Sequence, residues 1–122
     1  MLKEVNGELR LEIEGKNKKP KTYIQQKVPL KKAIEYTDGA VSLYEEAVKR
    51  GLSGATEREL LDYQVGFIAD LFDDEDVTKE LLYEKLDTND RKSIEDIIIY
   101  RVLGNSREEK DQSEVPKEQL ED

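Results

Sequence analysis

The 122-residue chain has no cysteine and no histidine. Disulfides, thiol nucleophiles, zinc sites built on Cys or His, and the common nucleophilic triads are excluded with them. A cysteine-free chain fits a reducing compartment. The N-terminus lacks the apolar core of about 7–15 residues that a secretory signal requires. No run approaches the roughly 20 apolar residues of a membrane helix. The expectation is a soluble, intracellular protein. The phosphate-cradling patterns G-x-x-x-x-G-K-[ST] and G-x-G-x-x-G are missing, as is the nucleophile elbow G-x-S-x-G.

What is abundant is charge. Charged residues make up 40 % of the chain and the hydrophobic class 36 %, with a formal net charge of -9. That balance disfavours nonspecific binding to a phosphate backbone, which needs clustered Lys and Arg. The apolar residues are clustered and periodic, which separates the chain from general disorder. Charge is also uneven. Residues 1–32 hold nine Lys/Arg against four Asp/Glu, and the remainder holds 11 against 25. Lys16, Lys18, Lys19, Lys21, Lys31 and Lys32 form the basic end. It reads either as a solvated turn and helix start, or as a docking surface for an acidic partner or a second copy of the chain.

The pattern predicts an α+β, mainly α, fold. Leu9, Leu11 and Ile13 alternate with charged residues, and this period of two marks a strand. Thr22, Ile24, Gln26 and Val28 alternate more weakly beyond the polar stretch 15–20. The two make a β-hairpin over 8–28, whose apolar face must rest on helices. Leu30, Ile34, Thr37, Val41, Tyr44 and Val48 then recur at spacings of four and three, with Ala33, Ala40 and Ala47 beside them. They predict an amphipathic helix over about 30–50, stopped by Gly51 and either kinked or divided at Asp38-Gly39. Thr56-x-x-Glu59 is a capping-box signature opening a second helix, about 57–72, with Leu61, Val65, Ile68 and Phe72 inward. Gly66 in its middle allows either close approach of a neighbouring helix or a notch for a partner. Thr78 caps a short helix, about 78–86, and Asp87 to Asp90 caps a last one, about 90–103, ended by Gly104. Ile97 to Tyr100 taken alone suits a strand, but the caps around it favour helix. The compact domain spans 1–104, and residues 105–122 read as a disordered acidic tail.

No chemistry emerges from the acidic residues. An EF-hand loop counted from Asp73 would place Val77 at position 5 and Thr78 at position 6, where an oxygen ligand and a turn glycine are needed. The Asp73–Asp76 cluster is therefore a solvated helix break. Glu57 and Glu59 belong at a helix N-terminus and do not form a catalytic pair. No catalytic residue, metal site or cofactor is expected, and the chain reads as non-enzymatic.

The order of elements carries a resemblance. A β segment and a polar helix precede Val65-Gly66-Phe67-Ile68-Ala69-Asp70-Leu71-Phe72. Asp76-Val77-Thr78, then Leu81-Leu82-Tyr83-Glu84-Lys85-Leu86, then Ile98-Ile99-Tyr100-Arg101-Val102-Leu103-Gly104 follow. Over roughly residues 7–104 the chain resembles the tail assembly chaperones of long-tailed phages and prophages of Gram-positive hosts. The resemblance implies a non-enzymatic protein of the bacterial cytoplasm that is absent from the finished virion. Its partners would be the tape measure protein, which it coats and keeps soluble, and the tail tube subunits it helps recruit. It also implies a longer frameshifted product of the same gene. Tyr63, Phe67, Tyr83 and Tyr100 are the candidates for an apolar partner groove, with Lys31 and Lys32 as a steering rim. The rival class is an acidic regulatory or adaptor protein, such as a nucleic-acid mimic that blocks a host protein.

Overall fold

A computed structural model of the chain describes residues 1–15 and 17–106. The tail expected over 105–122 lies outside the described residues from position 107 onward. Three strands come first: β1 (Leu2–Val5), β2 (Glu8–Glu14) and β3 (Pro20–Gln25). They form one antiparallel sheet in the order β1-β2-β3. Four helices follow: α1 (Lys31–Lys49), α2 (Glu57–Leu71), α3 (Lys79–Lys85) and α4 (Arg91–Asp96). A 3-10 turn, Thr88–Asp90, leads into α4, and a π-helical segment, Ile97–Val102, continues it. The α+β, mainly α class is as the sequence pattern indicates.

The expected hairpin is one strand short. β1 joins β2 through Asn6 and Gly7, whose φ values are 53° and 85°. Two positive φ values in a two-residue loop match the right-handed twist of the flanking strands, and Asn-Gly supplies them at low steric cost. The extra strand buries Leu2 and pairs it with Leu11.

The second predicted strand also changes face. Cross-strand partners share a face of a sheet. Leu11 pairs with Tyr23, and Arg10 pairs with Ile24. Tyr23 is therefore buried, while Ile24 stands on the solvent side, 49 % exposed. Alternation alone says which residues of a strand go together, but pairing with β2 decides which set faces the core. The strand stops at Gln25, so Gln26 and Val28 lie outside it.

The inner face of the sheet carries Leu2, Leu9, Leu11, Ile13 and Tyr23. Opposite it lie Val65, Ile68, Ala69, Leu71 and Phe72 around α2, then Val77 and Leu82, then Ile94, Ile97, Ile98 and Val102. The α2 capping box is complete: Glu59 N–H donates to the Thr56 hydroxyl, and Thr56 N–H donates to the Glu59 carboxylate. Thr78 Oγ1 accepts from Leu81 N–H at the start of α3. In the Asp73–Asp76 turn, Asp74 Oδ1 accepts from Asp76 N–H at 2.9 Å, and Asp73 N–H donates to Gln25 Oε1 at 3.1 Å. The Asp74 carboxylate and the Asp73 N–H thus shape the link between α2 and α3.

The last described helix forms as the caps indicate, but it is widened over Ile97–Val102. Leu103 N–H donates to the carbonyl of Ile98, five residues back, at 2.9 Å. This wider turn keeps Ile97, Ile98 and Val102 buried. It also lets Arg101 donate to the carbonyls of Gly7 (2.7 Å) and Gln26 (3.0 Å), which ties the last described helix to the β1–β2 turn and to the chain leaving β3, at one end of the sheet.

Helix α1 runs unbroken through Gly39 to Lys49, and Gly51, whose φ is +90°, turns the chain away just beyond it. Its inner face is not the large apolar stripe. Only Tyr36 and Ala47 are fully buried on it, and Ala40 is packed against the core from the same side. Leu30, Ile34, Val41, Tyr44 and Val48 all face solvent. Tyr36 takes the inner face together with the small residues Gly39, Ala40 and Ala47, and the glycine lets α1 approach α2 closely.

Asp90 is the one charged residue buried among the described residues. Its Oδ1 accepts from Leu2 N–H at 3.2 Å and its Oδ2 from Asp87 N–H at 2.9 Å. Replacing it with Ala leaves both donors short of a partner. Asp90→Ala should lower unfolding free energy in urea by roughly 2–3 kcal/mol. Asp90→Asn has a single amide oxygen for the two donors and should fall between the two.

Candidate functional site

A groove of about 800 Å³ lies across α2 and is bordered by α1 and the start of α3. Leu43 lines it from α1, Asp62, Tyr63, Gly66 and Phe67 from α2, and Lys79 from α3. The α2 residues fall three and four apart, which places them on one face of the helix.

An aromatic cluster forms one wall. The rings of Tyr63 and Tyr36 lie 5.1 Å apart and tilted, and Phe67 meets Tyr36 edge-on at 5.2 Å. The Tyr63 hydroxyl donates to the carbonyl of Tyr36 at 2.7 Å. Burial pushes the Tyr63 hydroxyl pKa up, and the neighbouring Tyr36 and Asp38 add to the shift. The ring reaches α1 only because Gly39 has no side chain. A Cβ at Gly39 would stand 2.2 Å from the Tyr63 hydroxyl oxygen and 2.8 Å from Cζ. The glycine in the middle of α1 therefore serves a close approach, and the helix needs no kink.

The opposite wall is polar. The Asp62 carboxylate accepts from Lys79 Nζ at 2.9 Å and from the Tyr83 hydroxyl at 2.9 Å. The hydrogen bond from Lys79 is the main cause holding the Asp62 carboxyl below its usual range, and the Tyr83 hydroxyl adds to it. Burial, followed by the bond to Asp62, raises the Tyr83 hydroxyl. Gly66 lies on the groove floor, and the stem of Lys79 crosses it, its Cδ 3.4 Å from where a Cβ would stand. Gly66 is thus both a point of close approach and part of a notch.

The six residues expected at a partner site do not all meet. Tyr63 and Phe67 line the groove together, 6.2 Å apart. Lys32 Nζ stands 5.9 Å from the Phe67 ring centroid and pairs with Glu35 at 3.2 Å. Tyr83 joins through Asp62 and also borders a smaller cleft of about 230 Å³ with Leu61, Leu86 and Arg91. Lys31 is exposed at the start of α1 and lines no part of the groove. Tyr100 is half-buried on the π segment, away from the groove lining. Asp62, Lys79 and Leu43 belong to the site without having been singled out. The Asp62–Lys79 link joins residues on two helices, so no local pattern marks it.

The described residues form a small α+β fold whose groove across α2 has one aromatic and one polar wall. Residues 5–119 match the phage tail chaperone protein family. The chain belongs to that family, and its role is in tail assembly with protein partners. Comparison with curated proteins and with solved structures gives no match. Among the described residues, no helix is long and apolar enough to cross a membrane.

Two outcomes test the geometry. Alanine at an ordinary helix position gains about 1 kcal/mol over glycine. Gly39→Ala must instead displace a ring held against Tyr36 and Phe67, an overpacking cost of about 1–3 kcal/mol. It should be net destabilising in thermal unfolding, and in a Tyr63→Leu background it should become neutral or stabilising. The second test is pH. Asp62 has a depressed folded-state pKa, so its stabilising contribution is complete above the ordinary carboxylate value of about 3.9. That contribution is lost as pH falls through the depressed value. Asp62→Asn should remove part of the acid-side loss of stability, read as a flatter profile of urea midpoint against pH.

Proposed function

We propose that the protein is a non-enzymatic tail assembly chaperone that binds the tape measure protein. It keeps that protein soluble and helps recruit tail tube subunits during tail morphogenesis. The observation that carries this reading is the groove across α2, where Tyr63 and Phe67 face Asp62 and Lys79 over the floor at Gly66. An unassembled tape measure exposes apolar helical stripes before the tube encloses it. A groove with an apolar wall and a polar wall accepts the apolar stripe of such a helix and orients its charged edge. Lys32 beside Phe67 extends the rim. The acidic remainder of the surface keeps the coated assembly in solution. The protein would act in the cytoplasm of the bacterial host and be left out of the mature virion.

The carboxylates support this reading over a nucleic-acid mimic. A mimic needs its acidic groups in a regular, unengaged surface row. Here Glu59 and Asp90 complete helix caps, and Asp62 pairs with Lys79. Glu14 pairs with Lys85, and Glu57 with Arg91.

The test fills the groove without cutting into the core. Gly66→Leu adds a side chain over the floor and raises helix propensity, so the helical circular dichroism should be retained. Co-expressed with the tape measure product of the neighbouring gene, the natural chain should hold it in the soluble fraction and co-purify with it. Gly66→Leu should lower that recovery about tenfold. Equal recovery with the variant would remove the groove from the interface, and no co-purification with the natural chain would remove the partner.

A further inference from the structure

The outer face of α1 has the pattern of a helix–helix seam and stands largely open to solvent, with the Tyr44 ring lying against Gly54. Leu30, Ile34, Thr37, Val41, Tyr44 and Val48 follow one another at spacings of 4, 3, 4, 3 and 4. This is the a/d repeat of a coiled coil, with the β-branched Ile34, Val41 and Val48 at a and Leu30, Thr37 and Tyr44 at d. Ile34, Val41 and Val48 are 63, 50 and 58 % exposed and Leu30 is 86 % exposed. Ala40 and Ala47 beside them face inward with Tyr36, so these large apolar side chains are the ones α1 turns to solvent. A seam of this period fits a second helix. The chain's own residues 107–122 have only Val115 and Leu120 as large apolar side chains, too few for six positions.

We propose that this face is a dimer interface, in which α1 packs antiparallel on α1 of a second copy. The charges along one edge of the seam choose both the partner and its direction. Lys31, Asp38 and Glu45 occupy successive e positions, seven residues apart. In an antiparallel pair with its two-fold axis at the level of residue 39, all six seam residues find a mate: Leu30 with Val48, Ile34 with Tyr44, and Thr37 with Val41. The same alignment places Lys31 beside Glu45 of the second copy, twice by symmetry. In a parallel pair the e residues would face the g positions, which are Ala33, Ala40 and Ala47 and have no charge to offer. The edge is thus self-complementary in one direction only. Asp38 meets its own copy at the axis, the single like-charge contact of the arrangement.

The helix has 19 residues, a length of about 28 Å. A single helix pair of that length buries less than the roughly 800 Å² per partner of a standard stable interface. The dimer is therefore weak, with a dissociation constant of roughly micromolar or above. The groove residues lie off the seam, so both copies keep their grooves free. This inference does not rest on the identity of the tape measure partner.

Sedimentation velocity on the full chain, from about 10 μM to 1 mM, tests it. The expected result is a concentration-dependent monomer–dimer equilibrium. Val41→Glu places a charge in the seam and should weaken the dimer about tenfold or more, with unchanged circular dichroism because Val41 is exposed in the monomer. Lys31→Glu and Glu45→Lys should each weaken it, and the two together should restore it. Asp38→Asn should tighten it several-fold. A chain that stays monomeric at 1 mM, or a dimer indifferent to Val41→Glu, overturns the interface. A double charge exchange that fails to restore association overturns the antiparallel arrangement.

Discussion

The carboxylate of Asp90 is shared between the first strand and the turn before the last helix. One oxygen holds the N–H of Leu2 and the other the N–H of Asp87. Burying a charge is unfavourable unless it is hydrogen-bonded, and here two backbone donors meet that requirement. The contact spans 88 residues of sequence, so it closes the chain. With β1 held, Leu2 completes the apolar face of the sheet, and the sheet has a surface wide enough for α2 and α4 to cover. Arg101 repeats the device from the other side by holding the carbonyls of Gly7 and Gln26. The apolar face of the sheet is removed from water by its helical cover, and these two side chains tie the cover to the sheet.

Helix α1 stands outside that arrangement and has two jobs. Its small-residue side meets α2, where Gly39 admits the Tyr63 hydroxyl to the carbonyl of Tyr36. That contact fixes the aromatic wall of the groove, so a glycine that weakens α1 locally is what shapes the site on α2. Its large-residue side remains apolar and exposed. The groove across α2 and the exposed apolar face of α1 are separate faces of the chain. On the proposed reading the groove would hold a partner while the seam meets a second copy.

Much of the fold was legible in the sequence because it is locally encoded. The capping box of Thr56 and Glu59, the Thr78 cap, the Asp87–Asp90 cap and the stops at Gly51 and Gly104 are contacts within a few residues of each other. The strand Glu8–Glu14 and the inward stripe Ile94, Ile97, Ile98 and Val102 follow from period alone. Of the candidate site, Tyr63, Phe67 and Lys32 converge, and Tyr83 joins through Asp62. Lys31 and Tyr100 do not line the groove, because aromatic or basic character says nothing about which helix faces meet. β1 was missed although Asn6-Gly7 marks its turn, since four residues with two charges show too short a pattern.

The sequence by itself determined where helices start and stop, which residues share a face, and which chemistries lack their residues. Tertiary structure decided which face is covered. Pairing with Leu11 put Tyr23 inside and Ile24 outside. Close approach to α2 put the alanines of α1 inside and its large apolar residues outside. The physical reason is the same in both cases. Periodicity is a property of one element, whereas burial belongs to a pair of elements. A pair can choose the smaller or less apolar face when that face brings two backbones, or a ring and a carbonyl, within bonding distance.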